Sequence, residues 1–206
     1  MKRLDHLVYA TKDLDATVDA LAAQLGVRAA PGGRHQGLGT RNAILAIGPA
    51  SYLEVIGPDA TQPPPLAPRW FGIDALVAPR LVAWAVKDAA LEARAAEARV
   101  AGFPLGPVEG GSRQRPGGQI LTWRFTHPRV LAADGVVPFF IHWGEGAHPA
   151  QGAPTGVHVV SLRAEFPEPD AVLAIFKTFG LSVNVAQGPS RLYAMLATPR
   201  GVVELG

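Results

Sequence analysis

Apolar and polar positions along the chain spell one pattern three times: an apolar strand, an acidic helix start, an apolar helical face and a glycine stop. The first copy opens with Leu4 to Asp13, a strand carrying His6. Asp13 suits a helix cap, Leu14, Val18, Leu21, Ala22 and Leu25 recur at helical spacing, and Gly26 ends the run. Val27 to Ala30 reads as a short strand and Gly32 to Gly39 as a flexible loop. Thr40 to Ile47 and Ser51 to Ile56 then give two more strands. The second copy runs from Leu81 to Asp88, through a helix with Leu91, Ala95 and Ala98, to Gly102. A Gly/Arg-rich loop through Gly118 follows, then strands at Gln119–Phe125 and Val136–Trp143. The third starts at Val157 and carries a helix with Val172, Ile175, Phe176 and Phe179, which Pro169 opens and Gly180 ends. Leu181 to Val185, Leu192 to Ala197 and Val202 to Leu205 close it.

These patterns predict an α+β fold of βαβββ modules at residues 1–57, 80–145 and, shorter, 155–206. Proline-rich 58–79 and glycine-bearing 146–154 link them within one compact unit. Arg69 to Pro79 in the first linker is ambiguous, a short helical turn at Trp70 to Ile73 packed on the domain being one reading of it. His6, Leu81 and His158 each precede an acidic residue (Asp13, Asp88, Glu165) by seven positions, and Glu54, His142 and Glu204 sit in the last strand of each copy.

Composition narrows the chemistry. With 206 residues, 48% of them hydrophobic, the chain supports a buried core. No apolar run is long enough to span a membrane, and the first residues do not read as a secretory leader, so a soluble cytoplasmic protein is expected. The net charge of +2 is spread without a Lys/Arg stripe, which argues against a nucleic-acid partner. There are no cysteines, so disulfides, thiolate nucleophiles and cysteine-held zinc are excluded. Neither glycine run precedes a helix in a phosphate-binding signature, so no nucleotide cofactor is expected, and no nucleophile elbow appears.

A tandem βαβββ unit with a histidine on its first strand and a glutamate on its last resembles the vicinal oxygen chelate superfamily. His6 with the Asp13 helix start, Gly37 to Asn42, Tyr52-Leu53-Glu54, Arg113 to Gly118, Thr122-Trp123-Arg124 and Pro138 to Trp143 resemble its glyoxalase-like branch. The resemblance covers about residues 4 to 148 and implies curved mixed sheets around a cup that holds a divalent metal (Fe, Mn, Ni or Zn). His6, Glu54 and His142 are the implied ligands, because the second copy has Leu81 where the first has His6. Modules one and three would instead offer His6, Glu54, His158 and Glu204. Chain order favours the first pairing and ligand completeness the second.

On this resemblance Asn42, Arg113, Arg115, Trp123 and Arg124 approach the cup as substrate-binding residues, with arginine forks suited to a carboxylate or phosphate. Glu54 is the candidate catalytic residue, either as a ligand or as a general base beside a carbonyl. The expected activity is a metal-dependent lyase, isomerase or dioxygenase acting on an oxygen-bearing small molecule. The alternative is a metal-free binding or sequestering protein of the resistance type. Edge strands of the third module offer a surface for homodimer formation.

Overall fold

The computed structural model describes residues 3–114, 117–127 and 129–206. The first copy folds as β1 (Leu4–Ala10), α1 (Leu14–Leu25), β2 (Ala30–His35), β3 (Thr40–Gly48) and β4 (Ser51–Pro58). The second folds as β5 (Arg80–Lys87), α2 (Leu91–Val100), β6 (Val108–Gln114), β7 (Ile120–Thr126) and β8 (Phe139–His142). The third folds as β9 (His158–Phe166), α3 (Pro169–Phe179), β10 (Asn184–Gln187), β11 (Arg191–Thr198) and β12 (Gly201–Leu205).

Local chemistry sets the helix limits. The Asp13 side chain accepts from the Ala16 amide at 3.1 Å, and Gly26 closes α1 with a left-handed φ of 76°. Asp88 does not cap α2 in the same way. Its carboxyl accepts from the Ala90 amide and pairs with Arg3 and Arg94, so α2 begins at Leu91, later than Asp88 suggests.

The first two copies close into an eight-stranded barrel in the order β1-β4-β3-β2-β6-β7-β8-β5. Within each copy the first and last strands run parallel (β1 with β4, β5 with β8). The copies meet antiparallel at β1/β5 and, through a single residue pair, Arg34 with Gln114, at β2/β6. Both strands of that second seam lie in stretches the hydrophobic pattern assigns to loops. Their glycines belong there because backbone and side chains crowd them. A Cβ at Gly33 would strike the Gln114 carbonyl, and one at Gly111 would overlap the Trp123 ring.

Alternation along the strands sorts the core into two layers. Leu7, Leu45, Leu53, Val55, Trp84 and Phe140 point outward and pack against α1, α2 and α3. Val8, Ile56, Ala85, Trp123, Phe125 and Ile141 point into the barrel. The third copy keeps the βαβββ element order but pairs its strands differently, as a separate sheet of order β10-β9-β11-β12. Its apolar face (Leu162, Ala164, Leu192, Ala194, Leu196) joins the outer core. Among the described residues no helix is long and apolar enough to cross a membrane.

Candidate active site

The barrel interior holds a small cavity. Its polar lining is His6, His35, Asn42, Tyr52 and Glu54 from the first copy and Arg113 from the second. Its walls are Trp70, Phe71, Trp123, Phe125, Phe139, Ile141 and Trp143. Strand register delivers these groups. On β4, Tyr52 and Glu54 face inward while Leu53 and Val55 face the helices, and β3 brings Asn42 beside Glu54.

Glu54 is buried at 6% exposure. Asn42 Nδ2 donates to its Oε1. Its Oε2 lies 3.8 Å from His6 Nε2, beyond hydrogen-bond range, and His35 Nε2 lies 4.0 Å from Oε1. One carboxyl oxygen is therefore anchored, and the other faces the cavity without a hydrogen-bond partner among the described residues.

His6 is oriented from behind. A break in the β1/β5 register at Asp5 lets two adjacent side chains meet, and the Asp5 carboxyl takes His6 Nδ1 at 2.7 Å. Asp5 also accepts from Trp143 Nε1 at 3.0 Å and pairs with His148 Nε2 at 3.1 Å. Burial pushes the Asp5 carboxyl up, but the hydrogen bonds from His148 and His6 outweigh it and hold the group well below the usual carboxylate range. The ionised Asp5 fixes the proton of His6 on Nδ1 and aims Nε2 at Glu54. The ring is further held by stacking on Tyr52, with centroids 4.6 Å apart.

His35 bonds Thr40 Oγ1 through Nδ1 at 3.1 Å. Burial, opposed by Glu54 and reinforced by Arg113, lowers its imidazole to about 4, so it is neutral near pH 7. The Tyr52 phenol is pushed well above its ordinary value by burial and by the Glu54 and Asp5 carboxyls. It therefore stays protonated.

Arg113, 2% exposed, donates from Nη1 to Asn42 Oδ1 at 2.7 Å, while its Nη2 is buried without a partner. The contact depends on Gly32, where any Cβ would occupy the space of Arg113 Nη1 and Asn42 Oδ1. Arg113 thus sits on a strand inside the barrel, not in a solvated loop.

Of the residues that the sequence marks, His6, Asn42, Glu54, Arg113 and Trp123 share this cavity. His142 does not. Phe139 and Ile141 point inward on β8, so His142 points outward and is exposed opposite Arg124, which pairs with Glu92 outside the barrel. Arg115 lies outside the described residues. His158 is exposed on β9, and Glu204 pairs with Arg163 on the third sheet, away from the barrel interior. Leu81 belongs to the outer core. By ladder register the counterparts of His6 and Tyr52 are Ala85 and Phe139, and the counterpart of Glu54 is Ile141. His35, Trp70 and Phe71 are lining residues the sequence pattern does not expose.

These placements decide how well the metal expected from the resemblance fits. The ligand set expected from the resemblance draws on both halves, and the second half presents alanine and isoleucine at the two matching positions. Among the described residues no group of three or more His, Asp or Glu side chains is disposed to hold a metal. Among the described residues the one charged group that the second half supplies to the cavity is the Arg113 guanidinium, which repels a cation. The residues present do not fit the expected metal.

The chain belongs to the glyoxalase-like domain family, whose model matches residues 4–180. No curated protein matches the chain. Among solved structures, a hypothetical protein from Staphylococcus aureus is similar at 13% identity and TM-score 0.65, covering 98% of this chain and 84% of that one. Methylmalonyl-CoA epimerase from Streptomyces coelicolor, in complex with 2-nitronate-propionyl-CoA, aligns at 24% identity and TM-score 0.45 over 68% of this chain and 95% of that one. A hypothetical protein from Bacillus halodurans aligns at 21% identity and TM-score 0.48 over 70% of this chain and 96% of that one.

Proposed function

We propose that this glyoxalase-like protein is a small-molecule enzyme of isomerase or lyase type that moves a proton at a carbon next to a carbonyl, with Glu54 as general base. The observation carrying this reading is the asymmetric setting of the Glu54 carboxyl: Oε1 is fixed by Asn42, and Oε2 is free in a cavity walled by aromatic rings. A base positioned by one oxygen and exposed to ligand by the other is suited to in-line proton abstraction. The negative charge that develops on the substrate oxygen needs a donor. The protonated Tyr52 phenol lines the same cavity and meets that requirement. His6, backed by Asp5, is placed to pass a proton to or from Glu54 once a ligand closes the 3.8 Å gap. No step is assigned to a metal, because the donor set does not fit one.

The test is hydrogen–deuterium exchange at the carbon next to the keto group of phenylpyruvate, pyruvate and 2-oxobutyrate, followed by proton NMR in D2O. Wild-type protein should speed exchange of at least one of them above the buffer rate, and Glu54→Gln should remove the effect. Equal rates with both proteins would remove Glu54 from the role of base.

A further inference from the structure

A buried arginine without an ion-pair partner is costly unless something else supplies the charge and the acceptors. Arg113 is in that position. Among the described residues it forms no ion pair, its one side-chain partner is the neutral Asn42 amide, and Nη2 is fully shielded from solvent with nothing to bond. Glu54 does not answer this need, because Asn42 stands between the two groups. The fold makes room for this arrangement deliberately: Gly32 leaves open the space where a side chain would displace Arg113 from Asn42. A second orphan donor, Trp70 Nε1, lines the same cavity and is also buried without a partner.

We infer that the cavity binds a small monoanionic carboxylate with an apolar or aryl body, its carboxylate seated on Arg113 Nη2 and its body against Trp123, Phe125 and Phe139. This deepens the proton-transfer reading and rests on it for the identity of the site. The charge count among the described residues selects a monoanion, because they offer the cavity one guanidinium and already place the Glu54 carboxyl in it, so a dianionic phosphate would be left undercompensated. The cavity walls select the body, since six of the lining side chains are Trp or Phe. Trp70 Nε1 supplies a second donor for an oxygen elsewhere on the ligand, such as a keto group.

Benzoate, its neutral isostere benzamide and inorganic phosphate are suitable probes, titrated against the full chain by calorimetry and tryptophan fluorescence. Benzoate should bind wild type at least tenfold tighter than benzamide, and phosphate should not compete with it. Arg113→Met should abolish the preference for benzoate, Arg113→Lys should keep part of it, and Gly32→Ala should weaken it by displacing the guanidinium. The lysine variant retains the charge, so it keeps the question answerable if the methionine variant fails to fold. Benzamide binding as well as benzoate, a preference that survives in Arg113→Met, or competition by phosphate would each overturn the inference. Glu54→Gln, titrated in parallel, separates the two claims. Its benzoate preference should persist although its exchange activity is lost. Loss of the preference in wild type with Glu54-dependent exchange intact would reject the carboxylate seat alone.

Discussion

Arg113 and Glu54, both buried in the cavity, are joined through the amide of Asn42, which accepts from Arg113 Nη1 at 2.7 Å and donates to Glu54 Oε1. The bridge fixes both groups while leaving one nitrogen and one oxygen free for a ligand. It also couples the halves of the barrel, since Arg113 comes from β6 and Asn42 and Glu54 from β3 and β4.

Replacing Asn42 with leucine keeps similar volume but strands both neighbours. The expected cost is about 1–3 kcal/mol of folding stability for the unpaired buried groups. A urea midpoint unchanged from wild type would show that the bridge is not structural.

His35 makes stability depend on pH. Its folded value of about 4 lies below the ordinary histidine value of about 6.5, so the unfolded chain takes up the proton first as pH falls. The stability this contributes is complete above pH about 6.5 and is lost as pH drops toward 4, at up to about 1.4 kcal/mol per pH unit. His35→Gln should have a flatter profile between pH 7 and 4.5 in denaturant titrations. A parallel profile would mean that His35 is protonated in the folded chain.

Asp5 acts in a lower window. Hydrogen bonds from His148 and His6 hold its carboxyl below the ordinary value near 4, so its contribution is present above that value and is lost as pH falls beneath it. Between pH 4 and 2.5 wild type should lose stability more steeply than Asp5→Asn, as measured by thermal melts. The variant should also alter Trp143 emission, because it changes the acceptor facing Nε1.

His142→Ala and Arg124→Ala alter side chains on the outside of the barrel. Neither should change benzoate affinity, metal uptake or exchange rate by more than about twofold. A large loss of metal binding in His142→Ala would restore the ligand set expected from the resemblance.

Much of the site is legible in the sequence because β1, β3 and β4 carry plain hydrophobic alternation. His6, Asn42 and Glu54 can be placed on strands from that alone. The reading fails where the pattern is weak. On β8 the apolar run does not show which residue faces in, and a slip of one position trades inward Ile141 for outward His142. On β2 and β6 glycines required by close approach hide the strands, so His35 passes as part of a loop and Arg113 looks solvated. Trp70 and Phe71 sit in a 3₁₀ segment whose Phe71 adopts a left-handed φ of 59°, a conformation no periodicity signals. The spacing of Asp88 after Leu81 matches that of Asp13 after His6, but a register break in the β1/β5 ladder between Leu81 and Ala83 puts Leu81 in the outer core, and Ala85 stands opposite Phe139.

Glu54 is assigned a proton transfer that runs without help from a metal. Deuterium exchange into phenylpyruvate by chelator-treated wild type, compared with Glu54→Gln, tests it most directly. Exchange should survive chelation and fall by a factor of about 10² or more in the variant. Exchange that vanishes on chelation and returns with added Mn, Fe, Ni or Zn, or that persists undiminished in Glu54→Gln, would contradict it.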